Sequence, residues 1–357
     1  MKVLYLTPWY PSEQDAMAGL FVLKHADAVR KQGADVRVIC AQHWRDLWQQ
    51  WRNLRDTWGL PDVVQVNVIT KNALLALWLK LARDIPYCII EHWSGYLPEN
   101  GQYAQWSGLK HALTRMLCRH AEVVMPVSAK LEQAMRAHGL TAKRWLRARN
   151  VVDDFFYEPF SRTPNAVKTL LHVSCFDEAA KNVHGLLKAF RVVCDRREDV
   201  RLVIIGTGVD FDRCQQWAEE LAFPKDRLLF TGELTPEQVS DRLHHADAFV
   251  LQSRYETAAI VLIEAAAAGI PILSTPVGLA EEIVSPGTGV IISCEAAVND
   301  PEAFADAIEE VLRIPCTPAM QAELRQKAAP YKAEAVGQSL TNLYRLLTAK
   351  PTEQLAE

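Results

Sequence analysis

The sequence predicts an α/β protein built as two parallel-sheet, Rossmann-like domains facing each other across a cleft. Three observations predict it. Short apolar strands alternate with amphipathic helices along most of the chain, the pattern of βαβ units. The alternation breaks once, at residues 150–168, where Asp153, Asp154, Pro159, Pro164 and Asn165 give a linker-like composition, and then starts afresh. The length of 357 residues suits two domains at roughly 150 residues each.

The first domain, residues 1–160, opens with a short apolar strand, Val3 to Thr7, and a loop from Pro8 to Gly19. Helical periodicity runs from Leu20 to Gln32 and stops at Gly33, and Asp35 to Ala41 is β-rich. The alternation continues with strand 63–68, helix 73–83, strand 87–90, helix 109–120 and strand 123–127. In the second domain, residues 165–330, the expected strands are 169–174, 201–206, 227–231, 248–252 and 271–275, with helices 183–195, 211–221, 236–244 and 258–268 between them. The last stretch, 331–357, holds an amphipathic helix, Ala333 to Leu347, that follows a break at Pro330-Tyr331 and is expected to pack across the hinge.

Composition narrows the function. With 39 basic and 43 acidic side chains the formal charge is −4, so nothing global favours nucleic acid. Apolar residues at 49% and charged residues at 23% exclude long disorder. The eight cysteines form no CxxC pair and no zinc-finger spacing, and several sit in apolar runs as small hydrophobes. Met1 to Leu6 is too short for a signal peptide, and no apolar run approaches ~18 residues, so a reducing cytoplasm is the expected setting.

Residues 251–276 are the most informative. Thr257 is placed to cap a helix beginning at Ala258, Gly269 to stop it in a left-handed turn, and Pro271 to forbid continuation. Between cap and stop only Glu264 is polar, which predicts a helix buried on nearly all sides. The amides of Thr257, Ala258, Ala259 and Ile260 have no intrahelical acceptors, and small side chains at 258 and 259 let an anion approach them. Glu256 and Glu264, eight residues apart, would lie about 12 Å apart along a helix axis, near the length of a nucleotide sugar. A buried core helix with one satisfied Glu fits the same spacing.

This segment resembles the E-x7-E signature of family 4 glycosyltransferases, retaining enzymes of the GT-B fold. The likeness extends along the chain through Leu6-Thr7-Pro8-Trp9-Tyr10-Pro11, Gly19-Leu20-Phe21-Val22 and Glu91-His92-Trp93-Ser94-Gly95-Tyr96. It continues through Val173-Ser174-Cys175-Phe176 with Lys181-Asn182, Gly206-Thr207-Gly208, Phe230-Thr231-Gly232 and Pro276-Val277-Gly278. The resemblance implies that Glu264 holds the ribose, Glu256 faces the transferred sugar and the 258–260 amides hold the distal phosphate. Lys181 matches the diphosphate-binding lysine, and His92 the histidine that contacts the donor sugar, with Gly19 brought against the donor beside it. Gly206 and Gly208 would line the nucleotide pocket. Two departures stand out: Ala258-Ala259 replaces Phe-Gly, and Cys175 replaces an Arg that would grip phosphate with two charge-assisted contacts. Lys181 would carry more of the load, or Arg254 would reach in.

Other signals point less far. Asp210-Phe211-Asp212 looks like a metal-binding DxD, but its place at a helix start suits capping, so no metal is expected. Gly206-x-Gly208 lacks the third glycine of a dinucleotide fingerprint. Trp44, Trp48 and Trp51 recur at i, i+4 and i+7 beside Arg45, Arg52 and Arg55. Such a face suits packing against its own domain, or a lipid-linked acceptor and peripheral contact with the inner face of the membrane through the Trp44 to Trp58 region. The expected function is transfer of a sugar from a nucleoside diphosphate donor to a sugar or lipid-linked saccharide acceptor, in surface polysaccharide or glycolipid assembly. Nucleic-acid partners and cofactors are not expected. A non-catalytic GT-B partner that binds nucleotide sugar or regulates another transferase is the alternative, and a sugar-nucleotide epimerase fits the E-x7-E context less well.

Overall fold

A computed structural model describes residues 1–13, 15, 17–160 and 166–349; Pro164 and Asn165 of the expected linker lie outside the described residues. The chain forms two compact units, one from Met1–Val151 with the segment that begins at Tyr331, the other from Val152–Pro330.

Unit 1 begins β1 (Lys2–Thr7), α1 (Leu20–Lys31), β2 (Asp35–Cys40), α2 (Trp44–Trp58), β3 (Val63–Asn67) and α3 (Ala73–Arg83). It continues β4 (Tyr87–Glu91), α4 (Gly108–His120), β5 (Val123–Pro126) and α5 (Ala129–Ala137). The strands form one parallel sheet in the order β2-β1-β3-β4-β5. β3 and β4 are buried along their whole length, as central strands of a covered parallel sheet must be.

Unit 2 begins β6 (Lys168–Val173), α6 (Glu178–Lys181), α7 (Val183–Arg196), β7 (Val200–Ile205), α8 (Phe211–Glu220) and β8 (Leu228–Gly232). There follow α9 (Pro236–His245), β9 (Ala248–Leu251), α10 (Ile260–Ala268), β10 (Ile272–Ser274), α11 (Ala280–Ile283) and β11 (Gly289–Ile291). Three helices close it: α12 (Cys294–Asn299), α13 (Pro301–Arg313) and α14 (Pro318–Ala328). Its parallel sheet runs β11-β10-β9-β6-β7-β8. The core lies between this sheet and α7 and α13, around Phe190, Leu186, Ile308 and Phe304.

In both sheets the chain lays strands to one side of its first strand and then crosses to the other. The switch falls between β1 and β3 in unit 1 and between β6 and β9 in unit 2. Open α/β sheets bind ligands outside the carboxyl ends of the strands at such points.

Two sequence expectations shift. The first unit ends at Val151, at the very start of the linker-like stretch, and not at 160. The last helix, α15 (Ala333–Thr348), was expected across the hinge but packs on α1 and β3 within unit 1. The approach to α1 is close enough to require glycine, since a Cβ on Gly337 would lie 2.4 Å from the Ala28 carbonyl oxygen. Inside the contact the Tyr344 hydroxyl meets that of Tyr5 at 3.0 Å and donates to Gln65 on β3.

Candidate active site

In unit 2 the segments leaving β6 and β9, the two switch-point strands, carry most of the expected residues. Cys175 follows β6 by two residues and is exposed. Its neighbours are held by close backbone approach. A Cβ on Gly206 (φ 128°) would fall 1.9 Å from the Ser174 carbonyl oxygen, and one on Gly208 would fall 2.5 Å from the Phe176 nitrogen. The Phe176 amide also donates to the Thr207 carbonyl at 2.9 Å. Both glycines therefore have a packing role beside the donor-binding one expected of them.

Lys181 ends α6, a four-residue helix held from several directions. The Asp177 side chain accepts from the Ala179 amide at 3.1 Å. Asp210, expected to cap α8, makes no side-chain cap there; its carboxylate accepts from the Glu178 amide at 2.9 Å. Arg254 donates through its amide to the Ala180 carbonyl at 2.7 Å, and its guanidinium binds the Glu178 carbonyl and Asn182 Oδ1. Rather than reaching toward phosphate, Arg254 is committed to the helix that presents Lys181.

The Lys181 ammonium is paired with Glu256, whose Oε1 also accepts from the Ser253 hydroxyl at 3.0 Å. The two side chains are only 14% and 13% exposed, so solvent screens the pair little. Burial works against the Lys181 charge, yet the attraction of Glu256, with Cys175 and Asp177 nearby, holds its pKa above the ordinary lysine value. The arrangement offers one cation and one carboxylate, each occupying the other.

The helix after Glu256 begins two residues later than its sequence suggests. α10 starts at Ile260, its N-cap is Ala259, and Thr257 makes no cap. The reason is Ala259, whose φ of 57° and ψ of 62° are left-handed. Glu256 thus lies in non-helical chain ahead of the helix, and the 12 Å axial spacing to Glu264 does not apply. The Leu262 amide bonds back to the Ala259 carbonyl at 2.9 Å, so the amides of Ile260 and Val261 precede the first helical bond and are available to an anion. Ala258 and Ala259 are buried against the turn at Gly278: a Cβ there would lie 2.4 Å from the Ala258 oxygen, which accepts from the Leu279 amide at 3.0 Å. Of α10, only Ile260, Val261 and Glu264 are partly exposed. Glu264 therefore shares the open stripe with the leading amides, about one turn away, and is less buried than expected.

A non-glycine residue in the left-handed region costs about 1–2 kcal/mol. The extra freedom of an unfolded glycine returns part of that. Ala259→Gly should therefore stabilise unit 2 by roughly 0.5–1 kcal/mol, and a denaturation midpoint equal to or below that of the wild type would contradict the strain.

Behind Cys175 lies a feature with no sequence signal beyond a lone buried His. His172 Nδ1 is 2.9 Å from the Val250 carbonyl oxygen, an acceptor only, so that nitrogen carries the proton. Its Nε2 therefore accepts from the Ser174 hydroxyl at 2.8 Å. Burial, helped by the Lys181 cation, pushes the imidazole down to about 4.

In unit 1 the candidate residues sit at the carboxyl ends of β1 and β4. Gly19 is left-handed (φ 65°), and a Cβ there would collide with the Trp9 carbonyl oxygen at 2.3 Å. His92, next after β4, lies against the Phe21 ring with centroids 4.0 Å apart and against His25 at 6.1 Å. Its Nε2 is buried without a hydrogen-bond partner. Burial and the nearby His25 push its pKa well below the ordinary histidine value. Before it stands Glu91, fully buried, whose carboxylate accepts from the Ile69, His92 and Trp93 amides; burial outweighs those bonds and pushes it up to about 7. A charged residue closing an apolar strand was the signal that would have singled it out.

On α2 the expected aromatic face divides. Trp51 is buried, whereas Trp44 and Trp48 meet edge to face at 5.5 Å and Trp48 meets Trp78 of α3 at 5.7 Å. Trp44 and Trp78 are exposed, with Arg45 and Arg52 exposed on the same helix.

Two family models match the chain: one described as glycosyl transferases group 1 over residues 156–334, and one described as a glycosyl transferase 4-like domain over residues 26–150. Among curated relatives, the D-inositol 3-phosphate glycosyltransferase of Corynebacterium urealyticum is 30% identical over 186 residues, covering 50% of this chain and 43% of the relative. The glycogen synthase of Mycobacterium tuberculosis is 30% identical over 256 residues, covering 68% and 57%. The chain thus spans about half the length of these curated relatives. Among solved structures, sucrose-phosphate synthase from Thermosynechococcus elongatus superposes with a TM-score of 0.78 at 17% identity, over 97% of this chain and 99% of that one, a likeness of fold.

Proposed function

The chain belongs to the glycosyl transferases group 1, and from that premise we propose that it moves a sugar from a nucleoside diphosphate donor to a hydroxyl acceptor with retention of configuration. The observation that carries the reading is the Lys181–Glu256 pair beside the opening amides of α10, at the switch point of unit 2.

In this reading the leaving diphosphate draws Lys181 from Glu256 and accepts hydrogen bonds from the Ile260 and Val261 amides, with Ala258 and Ala259 leaving room beside them. These groups stabilise charge that develops as the bond from the anomeric carbon to phosphate breaks. Glu256, released, meets hydroxyls of the transferred sugar, and Glu264 holds the ribose. The acceptor oxygen attacks from the face that the phosphate leaves, and its proton passes to the departing phosphate oxygen. His92 meets the transferred sugar.

Release of nucleoside diphosphate and free sugar from UDP-glucose, ADP-glucose or GDP-mannose, without acceptor, tests the assignment. Turnover should persist in EDTA, because Lys181 and the helix amides fill the role of a metal. A chain that binds these donors but never cleaves them would be a non-catalytic partner, and activity restored only by manganese or magnesium would refute the metal-free mechanism.

Cys175→Arg should tighten donor binding about tenfold or more, since a guanidinium makes charge-assisted contacts to phosphate. Removing Arg254 beside it would be uninformative, because Arg254 anchors α6. Unchanged affinity in the folded variant would place Cys175 away from the phosphates.

The exposed Trp44 and Trp78, with the half-buried Trp48 between them and Arg45 and Arg52 exposed on α2, support a further proposal, peripheral contact with an anionic membrane surface on the cytoplasmic side, which suits a lipid-linked acceptor. Among the described residues, no helix is long and apolar enough to cross a membrane. Flotation with phosphatidylglycerol vesicles, lost in Trp48→Ala, tests it.

A further inference from the structure

We infer that Glu91 is a positioning residue for His92, its carboxylate locking together the two loops at the carboxyl ends of β3 and β4. The inference rests on the reading that His92 meets the transferred sugar.

The geometry joins segments far apart in sequence. Glu91 Oε1 accepts from the His92 and Trp93 amides at 2.9 Å each, which fixes the backbone from which the imidazole projects. Oε2 accepts from the Ile69 amide at 3.0 Å, in the loop that follows β3. That loop begins at Val68, a β-branched residue held left-handed at φ 65°, a conformation that persists only when its surroundings over-determine it. It ends at Asn72, whose side-chain amide donates to the Thr7 and Ala41 carbonyls at 2.9 Å each, at the ends of β1 and β2. Glu91 therefore ties His92 to the loop that secures the carboxyl edge of four neighbouring strands.

Only a carboxylate offers acceptors on both oxygens to these three donors; a glutamine would turn an N–H against one of them. Burying the group is costly, as its raised pKa shows. The ring of His92, set against Phe21 at a tilt, is then confined between that ring and a backbone that the carboxylate holds.

The test compares wild type, Glu91→Gln, His92→Ala and the double variant. Turnover is read on whichever of UDP-glucose, ADP-glucose and GDP-mannose the wild type cleaves fastest, and exchange of the Ile69, His92 and Trp93 amides is read separately. Glu91→Gln should lower kcat on the order of 10²-fold through misplacement of His92, with little change in KM because unit 2 holds the nucleotide. In the His92→Ala background it should cost nothing further. The three amides should exchange faster in Glu91→Gln.

An equal loss in both backgrounds would overturn the role of Glu91 and leave that of His92 standing. Wild-type turnover in His92→Ala would overturn the reading of His92, and Glu91 with it. Amides that stay protected in Glu91→Gln would overturn the lock whatever the activity. Should Glu91→Gln fail to fold, Glu91→Asp, which keeps both oxygens on a shorter arm, carries the same comparison.

Discussion

Glu256→Gln should bind free nucleoside diphosphate about tenfold more tightly than the wild type while its turnover falls by roughly 10²–10³-fold. The opposite signs come from one contact. The Lys181 ammonium is paired with the Glu256 carboxylate, both largely buried, so a diphosphate must compete with Glu256 for the cation. A neutral amide keeps the shape and the bond from the Ser253 hydroxyl but loosens its hold on Lys181, which turns more readily to phosphate. The transferred sugar, in contrast, loses the carboxylate that faces it, a contact that in the proposed mechanism strengthens as the sugar detaches. Calorimetry with UDP, GDP and ADP alongside initial rates separates the effects. Weaker binding together with slower turnover would show that Glu256 helps hold the diphosphate and does not compete for Lys181.

Acidification should destabilise unit 2 through His172 by about 3 kcal/mol between pH 6.5 and 4. The ring is neutral in the fold and buried, with its pKa pushed down to about 4. The unfolded chain takes up a proton near the ordinary value of 6.5, well before the folded chain does. Stability is thus complete above pH 6.5 and is lost as pH falls toward 4. His25 in unit 1 is buried likewise and pushed down to about 4, but there Glu91 opposes it. A carboxylic acid with its folded pKa raised to about 7 stabilises fully below its unfolded value near 4.5, and that contribution fades as pH rises through 7. Over the same interval Glu91 nearly offsets His25, leaving His92 as a further acid-sensitive group in unit 1, whereas among the described residues of unit 2 no carboxyl with a raised pKa offsets His172. Exchange of the β6 and β9 amides at pH 7 and pH 4.5 should reveal the loss, and a His172 titration midpoint near 6.5 would disprove it.

Much of this architecture is legible in the sequence because parallel strands covered on both faces must be short continuous apolar runs. Val63-Val64 and Cys88-Ile89-Ile90 can be little else, and each becomes a fully buried strand. The helix start at 260 was not readable, since an alanine carries no mark of a left-handed backbone; Gly278 and Leu279, some twenty residues on, hold Ala258 in place. The aromatic spacing of α2 could not show that Trp51 turns inward while Trp48 finds Trp78 on another helix. The site shows the same division. Candidate residue types were visible as a motif, but Arg254 bracing α6, Ser174 bonded to His172 and Glu91 reaching Ile69 are pairings across the fold that local patterns do not encode.

The return of α15 to unit 1 bears on how the chain is made. Unit 1 is discontinuous: its first 151 residues leave the ribosome long before the segment from Tyr331, and the whole of unit 2 is synthesised between them. At translation speeds of about 5–20 residues per second, that delay is on the order of ten seconds or more. Throughout it, Tyr5 and Gln65 wait for the Tyr344 hydroxyl, and the face of α1 around Ala28 waits for the groove at Gly337. Unit 2 is continuous and can close as soon as it emerges. The half that is born first is therefore completed last, and a chain truncated after Pro330 would carry a finished unit 2 while the face of α1 around Ala28 stays uncovered.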